Sequence, residues 1–81
     1  MDISNQSNTE IYPNPAKEGF HISSDKVVKD ISIIDMRGIK VLSQQVGTYG
    51  YVSTYGLTRG VYIVKIAIAD TVVEKRLIIG E

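Results

Sequence analysis

The sequence predicts an all-β domain of seven strands, folded as an antiparallel sandwich or barrel. Short runs rich in Ile, Val and Tyr recur at close, fairly even spacing along the 81 residues, separated by glycine-containing or charged turns. Apolar residues alternate with polar ones at a spacing of two, whereas an amphipathic helix requires spacings of three and four. β-branched residues dominate these runs, which also favours strands.

The chain divides into a short polar start and one folded part. Residues 1–8 are mainly Asp, Ser, Asn and Gln, so we expect them to form a flexible, solvated linker. The folded part, residues 9–81, has the size of one small domain. Within it we predict strands at residues 10–12, 20–23, 28–36, 39–45, 51–54, 61–68 and 71–79.

The stretch YPNPAKEG predicts a rigid corner after the first strand. Proline restricts φ, cannot donate a hydrogen bond to a sheet and biases the preceding residue toward extended conformations. Pro13 and Pro15 should therefore end the first strand at Tyr12 and keep Asn14 extended. Gly19 then permits the chain to reverse into the second strand, where alternate residues point inward.

The segment DISIIDMRGIKV predicts a bulge or a sharp twist followed by a tight hairpin. The alternation of Ile31 and Ile33 shifts phase at Ile34 and Met36, as happens where a strand is bulged or strongly twisted. Arg37 and Gly38 then stand between two strands. We expect a two-residue turn there, in which Gly38 takes the positive φ that such turns require.

The last two strands are predicted to form a second hairpin, with Ala69 and Asp70 at its turn. Before them, Leu57 lies between Gly56 and Gly60, which indicates a compact loop with one apolar side chain tucked into the core. The sixth strand, VYIVKIAI, shows the clearest alternation. Its core residues should be Tyr62, Val64, Ile66 and Ile68.

Composition and charge exclude several classes of protein. Hydrophobic residues make up 43% of the chain and charged residues 22%, as in a globular domain. Nine basic and nine acidic side chains cancel, which removes the field that a non-specific nucleic-acid binder needs. The charges are nevertheless uneven, with a net −3 in residues 1–36 and +3 in residues 37–81. No apolar run predicts a transmembrane segment, and no secretory signal opens the sequence.

Catalytic, metal and cofactor sites are not predicted. The only histidine, His21, lies between the core candidates Phe20 and Ile22, so alternation places it on the outer surface. Asp30 and Asp35 fall on opposite faces of one predicted strand and cannot converge as an acid and base pair. Without cysteine, one imidazole and scattered carboxylates do not supply the three or four ligands of a metal site.

Five tyrosines leave an alternative function open. Tyr49, Tyr51 and Tyr55 cluster in one loop-rich stretch, and flat amphipathic rings suit a contact surface for sugars or proteins. The alternative is therefore a glycan-binding or adhesive β-sandwich module of a cell-surface protein. In the simpler interpretation, these rings cover an open end of the sandwich.

Four blocks of the sequence, in order and with compatible spacing, resemble the C-terminal sorting domain of the type IX secretion system of Bacteroidetes. The resemblance covers about residues 10–79. The blocks read IYPNPAKEGFHI, ISIIDMRGIKVL, LTRGVYIVKI and TVVEKRLII. The positions that match the family motifs are Pro13, Asn14, Pro15 and Gly19, then Asp35, Met36, Arg37 and Gly38, then Leu57, Gly60, Val61 and Tyr62, and finally Lys75 with Arg76.

The resemblance implies a seven-stranded, immunoglobulin-like sandwich without enzymatic activity. Residues 9–81 would be a secretion signal, and residues 1–8 the linker from an upstream passenger domain. The implied partners are the proteins of the type IX outer-membrane translocon and a sortase that usually removes the domain by cutting in or before residues 1–10. The precursor would then pass from the periplasm to the outer-membrane surface or the medium of a Gram-negative, Bacteroidetes-type bacterium.

One feature departs from the family pattern. Family members often finish with a basic residue shortly after the last strand, whereas this sequence ends Ile78-Ile79-Gly80-Glu81. Its positive charge comes earlier, at Lys75 and Arg76. We expect the difference to affect the efficiency of export.

Overall fold

A computed structural model describes residues 8–46, 49–69 and 71–80, which form two antiparallel sheets packed as a β-sandwich. One sheet has three strands in the order β1-β2-β5, and the other has four in the order β4-β3-β6-β7. The all-β class and the number of strands are confirmed, and the sandwich replaces the barrel alternative. The strands are β1 (Thr9–Tyr12), β2 (Gly19–Ser24), β3 (Val28–Ile34), β4 (Lys40–Gln45), β5 (Tyr49–Ser53), β6 (Gly60–Ile68) and β7 (Thr71–Ile79).

The topology is immunoglobulin-like. The first, second and fifth strands share one sheet, and the third, sixth and seventh share the other, as in immunoglobulin domains. The fourth strand, β4, pairs with β3 at the edge of the four-stranded sheet. The chain therefore crosses from one sheet to the other three times, in the β2–β3, β4–β5 and β5–β6 connections.

The core lies between the sheets and consists of the inward residues of alternating strands. The second strand contributes Phe20 and Ile22, as predicted, and β5 contributes Val52. All three are fully buried, and burial of each large apolar side chain stabilises the folded state by about 1.5–3 kcal/mol. The predicted alternation of β6 is also confirmed. From the four-stranded sheet the buried residues are Val28, Ile31, Ile33, Tyr62, Val64, Ile66, Ile68, Leu77 and Ile79.

The β3–β4 turn is longer than the sequence predicts. The third strand ends at Ile34, so Asp35 begins the turn instead of continuing the strand. The Asp35 N–H donates to the Ile39 carbonyl (2.9 Å) and the Gly38 N–H to the Asp35 carbonyl (2.9 Å), leaving three residues between the paired ends. The prediction of a two-residue turn at Arg37 and Gly38 was therefore wrong. The positive φ of Gly38 (85°) and the register shift at Ile34 are confirmed.

The β6–β7 hairpin has the predicted position. Ile68 pairs with Thr71, which leaves two residues between the strands. Ala69 has a φ of 49°, the left-handed conformation that tight hairpin turns use. Asp70, the other residue predicted for this turn, lies outside the described residues.

Gly19 acts through its missing side chain and not, as the sequence suggests, by reversing the chain. It is the first residue of β2, and its φ is not in the left-handed region. A Cβ at this position would lie 2.5 Å from the carbonyl oxygen of Val52 and would meet the ring of Tyr51. Gly19 therefore allows β2 to approach β5 closely.

We predict that Ile66→Ala lowers the free energy of unfolding by about 2–5 kcal/mol, because it leaves a cavity in a fully packed core. Val72→Ala, on the exposed side of the neighbouring strand, should change it by less than about 1 kcal/mol. Urea unfolding of the two variants measures both values. Equal losses would contradict the assignment of Ile66 to the core.

Candidate functional site

Residues of all four motif blocks meet at one end of the four-stranded sheet, while Lys75 of the last block lies in the middle of β7. Ile34, just before the Asp35 turn, pairs with Ile63 near the start of β6. Gly60, the first residue of β6, pairs with Ile79, the last residue of β7. The Pro-Asn-Pro segment also contacts β7 there. We call this end of the sandwich the motif end.

The opposite end carries the start of the folded chain. Thr9, the first residue of β1, pairs with Ser24, which ends β2. The β6–β7 hairpin lies at this end too, because Ile68 pairs with Thr71 and with Val28. The first strand thus leads from this end toward the motif end.

The side chain of Asn14 joins the Pro-Asn-Pro segment to β7. Its Nδ2 donates to the Arg76 carbonyl (2.8 Å), and its Oδ1 accepts from the Ile78 N–H (2.9 Å). The carboxamide thus occupies two backbone positions on the outer edge of β7, as a neighbouring strand would. We call this pair of hydrogen bonds the Asn14 bridge. The peptide bonds before Pro13 and Pro15 are both cis.

Ala16 extends the Asn14 bridge, and the sequence does not single it out. Its N–H donates to the Ile78 carbonyl (2.8 Å), and its carbonyl accepts from the Gly80 N–H (2.9 Å). Its side chain is fully buried. The only sequence signal was an alanine among the charged and polar residues between the first two strands.

The basic pair of the last block faces in two directions. Lys75 is half-buried on the inner side of β7, opposite Val64, whereas Arg76 is exposed on the outer face. A lysine pointing inward at an edge strand discourages pairing with another chain. Only the backbone of Arg76 meets the first block, through the Asn14 bridge.

Asp35 organises the turn between β3 and β4. Its Oδ1 accepts from the N–H groups of Arg37 (2.9 Å) and Ile39 (3.0 Å). Its Oδ2 accepts from Nε (3.1 Å) and Nη2 (2.8 Å) of the Arg37 guanidinium. Hydrogen bonds from that guanidinium, and next the one from the Ile39 N–H, lower the pKa of Asp35 below its ordinary value.

Tyr62 fixes the loop that precedes β6. Its hydroxyl donates to the Thr58 carbonyl (2.6 Å), while its ring is buried. Immunoglobulin-like sandwiches use the same arrangement, in which a tyrosine near the start of the sixth strand bonds a few residues upstream. Leu57, from the same motif, packs against the core as the sequence predicts. Its N–H donates to the Thr54 carbonyl (2.9 Å).

A second carboxamide connects the sheets on the opposite side of the sandwich. The Nε2 of Gln44, on β4, donates to the carbonyl of Tyr51 on β5 (3.1 Å). Both strands are edges of their sheets. No sequence signal distinguished Gln44 from Gln45, because which of the two points inward depends on the register of the bulged β3–β4 pair.

The exposed aromatic residues form a different group from the predicted one. Across the outer face of the three-stranded sheet, His21 stacks on Tyr12 (ring centroids 5.4 Å apart) and contacts Tyr51 (4.9 Å). Tyr51 and the 94% exposed Tyr55 line one shallow concavity. The side chain of Tyr49 lies outside the described residues. His21 is exposed, as predicted.

The described residues do not group His, Asp or Glu side chains as a metal site would. Nor do residues 8–46, 49–69 and 71–80 contain a helix of the length and hydrophobicity that a membrane crossing requires. The strand order and the hydrogen bonds at the motif end define a class of protein. It is a small immunoglobulin-like sandwich in which side-chain hydrogen bonds fix the strand connections at one end.

Comparison with known families identifies the chain more closely. Residues 10–80 match the family model described as the secretion system C-terminal sorting domain, so the chain belongs to this family. It is a C-terminal sorting domain of the type IX secretion system, a non-catalytic signal that directs proteins to export. No curated protein and no solved structure matched the chain. The resemblance seen in the sequence is confirmed.

We predict that Tyr62→Phe lowers the free energy of unfolding by about 1 kcal/mol, because it removes the bond to the Thr58 carbonyl and keeps the ring. Tyr12→Phe is the matched control, since its ring is exposed on the other sheet. Urea unfolding measures both. If Tyr62→Phe left the free energy of unfolding unchanged, the hydrogen bond from the hydroxyl would not stabilise the loop.

A second prediction concerns pH. Because the folded state lowers the pKa of Asp35, this carboxylate contributes stability above its ordinary pKa of about 4 and loses that contribution as the pH falls. Asp35→Asn should therefore lower the melting temperature at neutral pH, and the difference from wild type should shrink in acid.

Arg37→Ala provides the control, because it removes the largest cause of the shift. An NMR titration should then find a higher pKa for Asp35 than in the wild type. A difference between wild type and Asp35→Asn that is constant from neutral to acidic pH would contradict the assignment.

Proposed function

We propose that the motif end is the surface by which the type IX outer-membrane translocon recognises the domain. The observation that carries this proposal is the convergence of the four family blocks on that end. The shared residues there, such as Asn14, Asp35 and Tyr62, bond mainly to backbone atoms of their own domain. They fix the shape of the end, so the recognised feature is a folded surface and not a linear peptide.

The direction of the chain agrees with this role. Residues 9–81 are the sorting domain, and residues 1–8 are the linker to an upstream passenger. Thr9 lies at the end opposite the motif end. The passenger therefore leaves the motif end accessible to the secretion machinery while it remains attached.

The remaining steps follow from the same assignment. The precursor reaches the periplasm, the translocon passes it across the outer membrane, and a sortase cuts in or before residues 1–10. The passenger then stays at the cell surface or is released. Pro13, Pro15 and Gly19 support the motif end through the β1–β2 connection, and Arg76 supports it through its backbone carbonyl on β7. Lys75 lies farther along the same strand.

The test fuses residues 9–81 to an exported reporter in a bacterium with a type IX system. We expect the wild-type domain to deliver the reporter to the surface and a fusion without residues 71–81 to fail. We also expect Asn14→Ala to reduce delivery strongly, because it frees the outer edge of β7. Surface reporter is measured by protease accessibility on intact cells.

Two controls separate recognition from stability. Ile68→Val lowers the free energy of unfolding by about 0.5–1.5 kcal/mol, near the value expected for losing two exposed hydrogen bonds, but it lies at the opposite end and leaves the motif end intact. Gln45→Ala removes an exposed carboxamide at the opposite end. Both should deliver the reporter normally. An equal loss of surface delivery in Asn14→Ala and Ile68→Val would contradict recognition at the motif end.

A further inference from the structure

The outer face of the four-stranded sheet carries an aliphatic row with a cation at each end. The register places Lys40, Ile34, Ile63 and Arg76 side by side on β4, β3, β6 and β7. Three gaps between strands separate the backbones of Lys40 and Arg76, a distance of about 14 Å. This row lies at the motif end.

A second aliphatic pair widens the row. Val61 and Ile78 are cross-strand partners on β6 and β7, and each is 39% exposed. Ile34 and Ile63 are half-buried on the same outer face. We call the six side chains of Lys40, Ile34, Ile63, Arg76, Val61 and Ile78 the outer patch.

The positive charge of the outer patch is not neutralised within the described residues. Neither Lys40 nor Arg76 forms an ion pair there. Of the described carboxylates near the patch, Asp35 binds Arg37 at 2.8 Å, and Glu74 lies 3.9 Å from Lys65. The patch therefore presents two available cations around an aliphatic centre.

We infer that the outer patch binds an acidic protein surface with aliphatic side chains, carried by a component of the secretion machinery. The inference rests on the proposed function and names the chemistry of its partner. Charge complementarity supports it, because carboxylates at the rim would pair with Lys40 and Arg76 while aliphatic groups cover the centre.

Other occupants fit the outer patch less well. Two copies of the domain related by a two-fold axis would place like charges against each other. Anionic lipid surfaces bind clusters of about four to eight basic residues, whereas the patch has two cations far apart.

The experiment reverses the two charges in the reporter fusion of residues 9–81. Lys40→Glu with Arg76→Glu should reduce surface delivery about tenfold and leave the precursor in the periplasm. The conservative pair Lys40→Arg with Arg76→Lys should deliver normally. Lys26→Glu with Lys29→Glu is the matched control, since it makes the same change in net charge at the opposite end. Thermal unfolding checks that each variant is folded.

The outcomes separate this inference from the proposed function. If the wild-type fusion is not delivered, the proposed function fails. If the wild-type fusion is delivered, two results overturn only the inference. In the first, the folded Lys40→Glu, Arg76→Glu variant is delivered as well as the wild type. In the second, this variant and the Lys26→Glu, Lys29→Glu control lose delivery equally. Purified wild-type domain should remain monomeric in sedimentation and should not float with vesicles of phosphatidylcholine and phosphatidylglycerol. Dimerisation or vesicle binding that Lys40→Glu abolishes would assign the patch to another copy or to lipid.

Discussion

The Asn14 bridge is the interaction that fixes the β1–β2 connection of one sheet onto the last strand of the other. It does so with a single carboxamide that donates and accepts at once. Only Asn and Gln side chains carry both functions in this planar form. Since Ala16 continues the same edge, the end of β7 is paired along its outer side.

This covered edge matters because open edges pair with other chains. A strand such as β7, with unpaired N–H and C=O groups, is a template for aggregation. The sandwich deals with its edges by three means: the Asn14 bridge near the end of β7, the inward Lys75 farther along, and Gln44 between β4 and β5. A sorting domain that directs export has particular need of such protection.

The sequence predicts most of the fold because the alternation of apolar and polar residues along a strand shows which side chains point inward. The core of β6 and the inward positions of β2 follow from that alternation alone. The turn at Asp35 was misjudged because its carboxylate bonds to the backbone and extends the turn by one residue. The role of Gly19 was also misjudged, since a close approach between strands depends on the partner strand and not on the local sequence.

The site was less predictable than the fold for a related reason. The motif positions were visible as residues, but their meeting at one end depends on strand register, which no single block contains. Gln44 and the stacked His21 were missed because their partners are on strands distant in sequence. Charges on the outer patch were likewise visible only as an excess of basic residues in the second half of the chain.

The short first strand has a mechanical consequence. In the proposed arrangement, a force from an attached passenger enters at Thr9, while the translocon holds the motif end at the other end of β1. The pull then acts along the strand and loads the β1–β2 hydrogen bonds together, in shear, instead of opening them one after another. A sandwich of this small size thereby resists traction on its N-terminal side without any covalent cross-link.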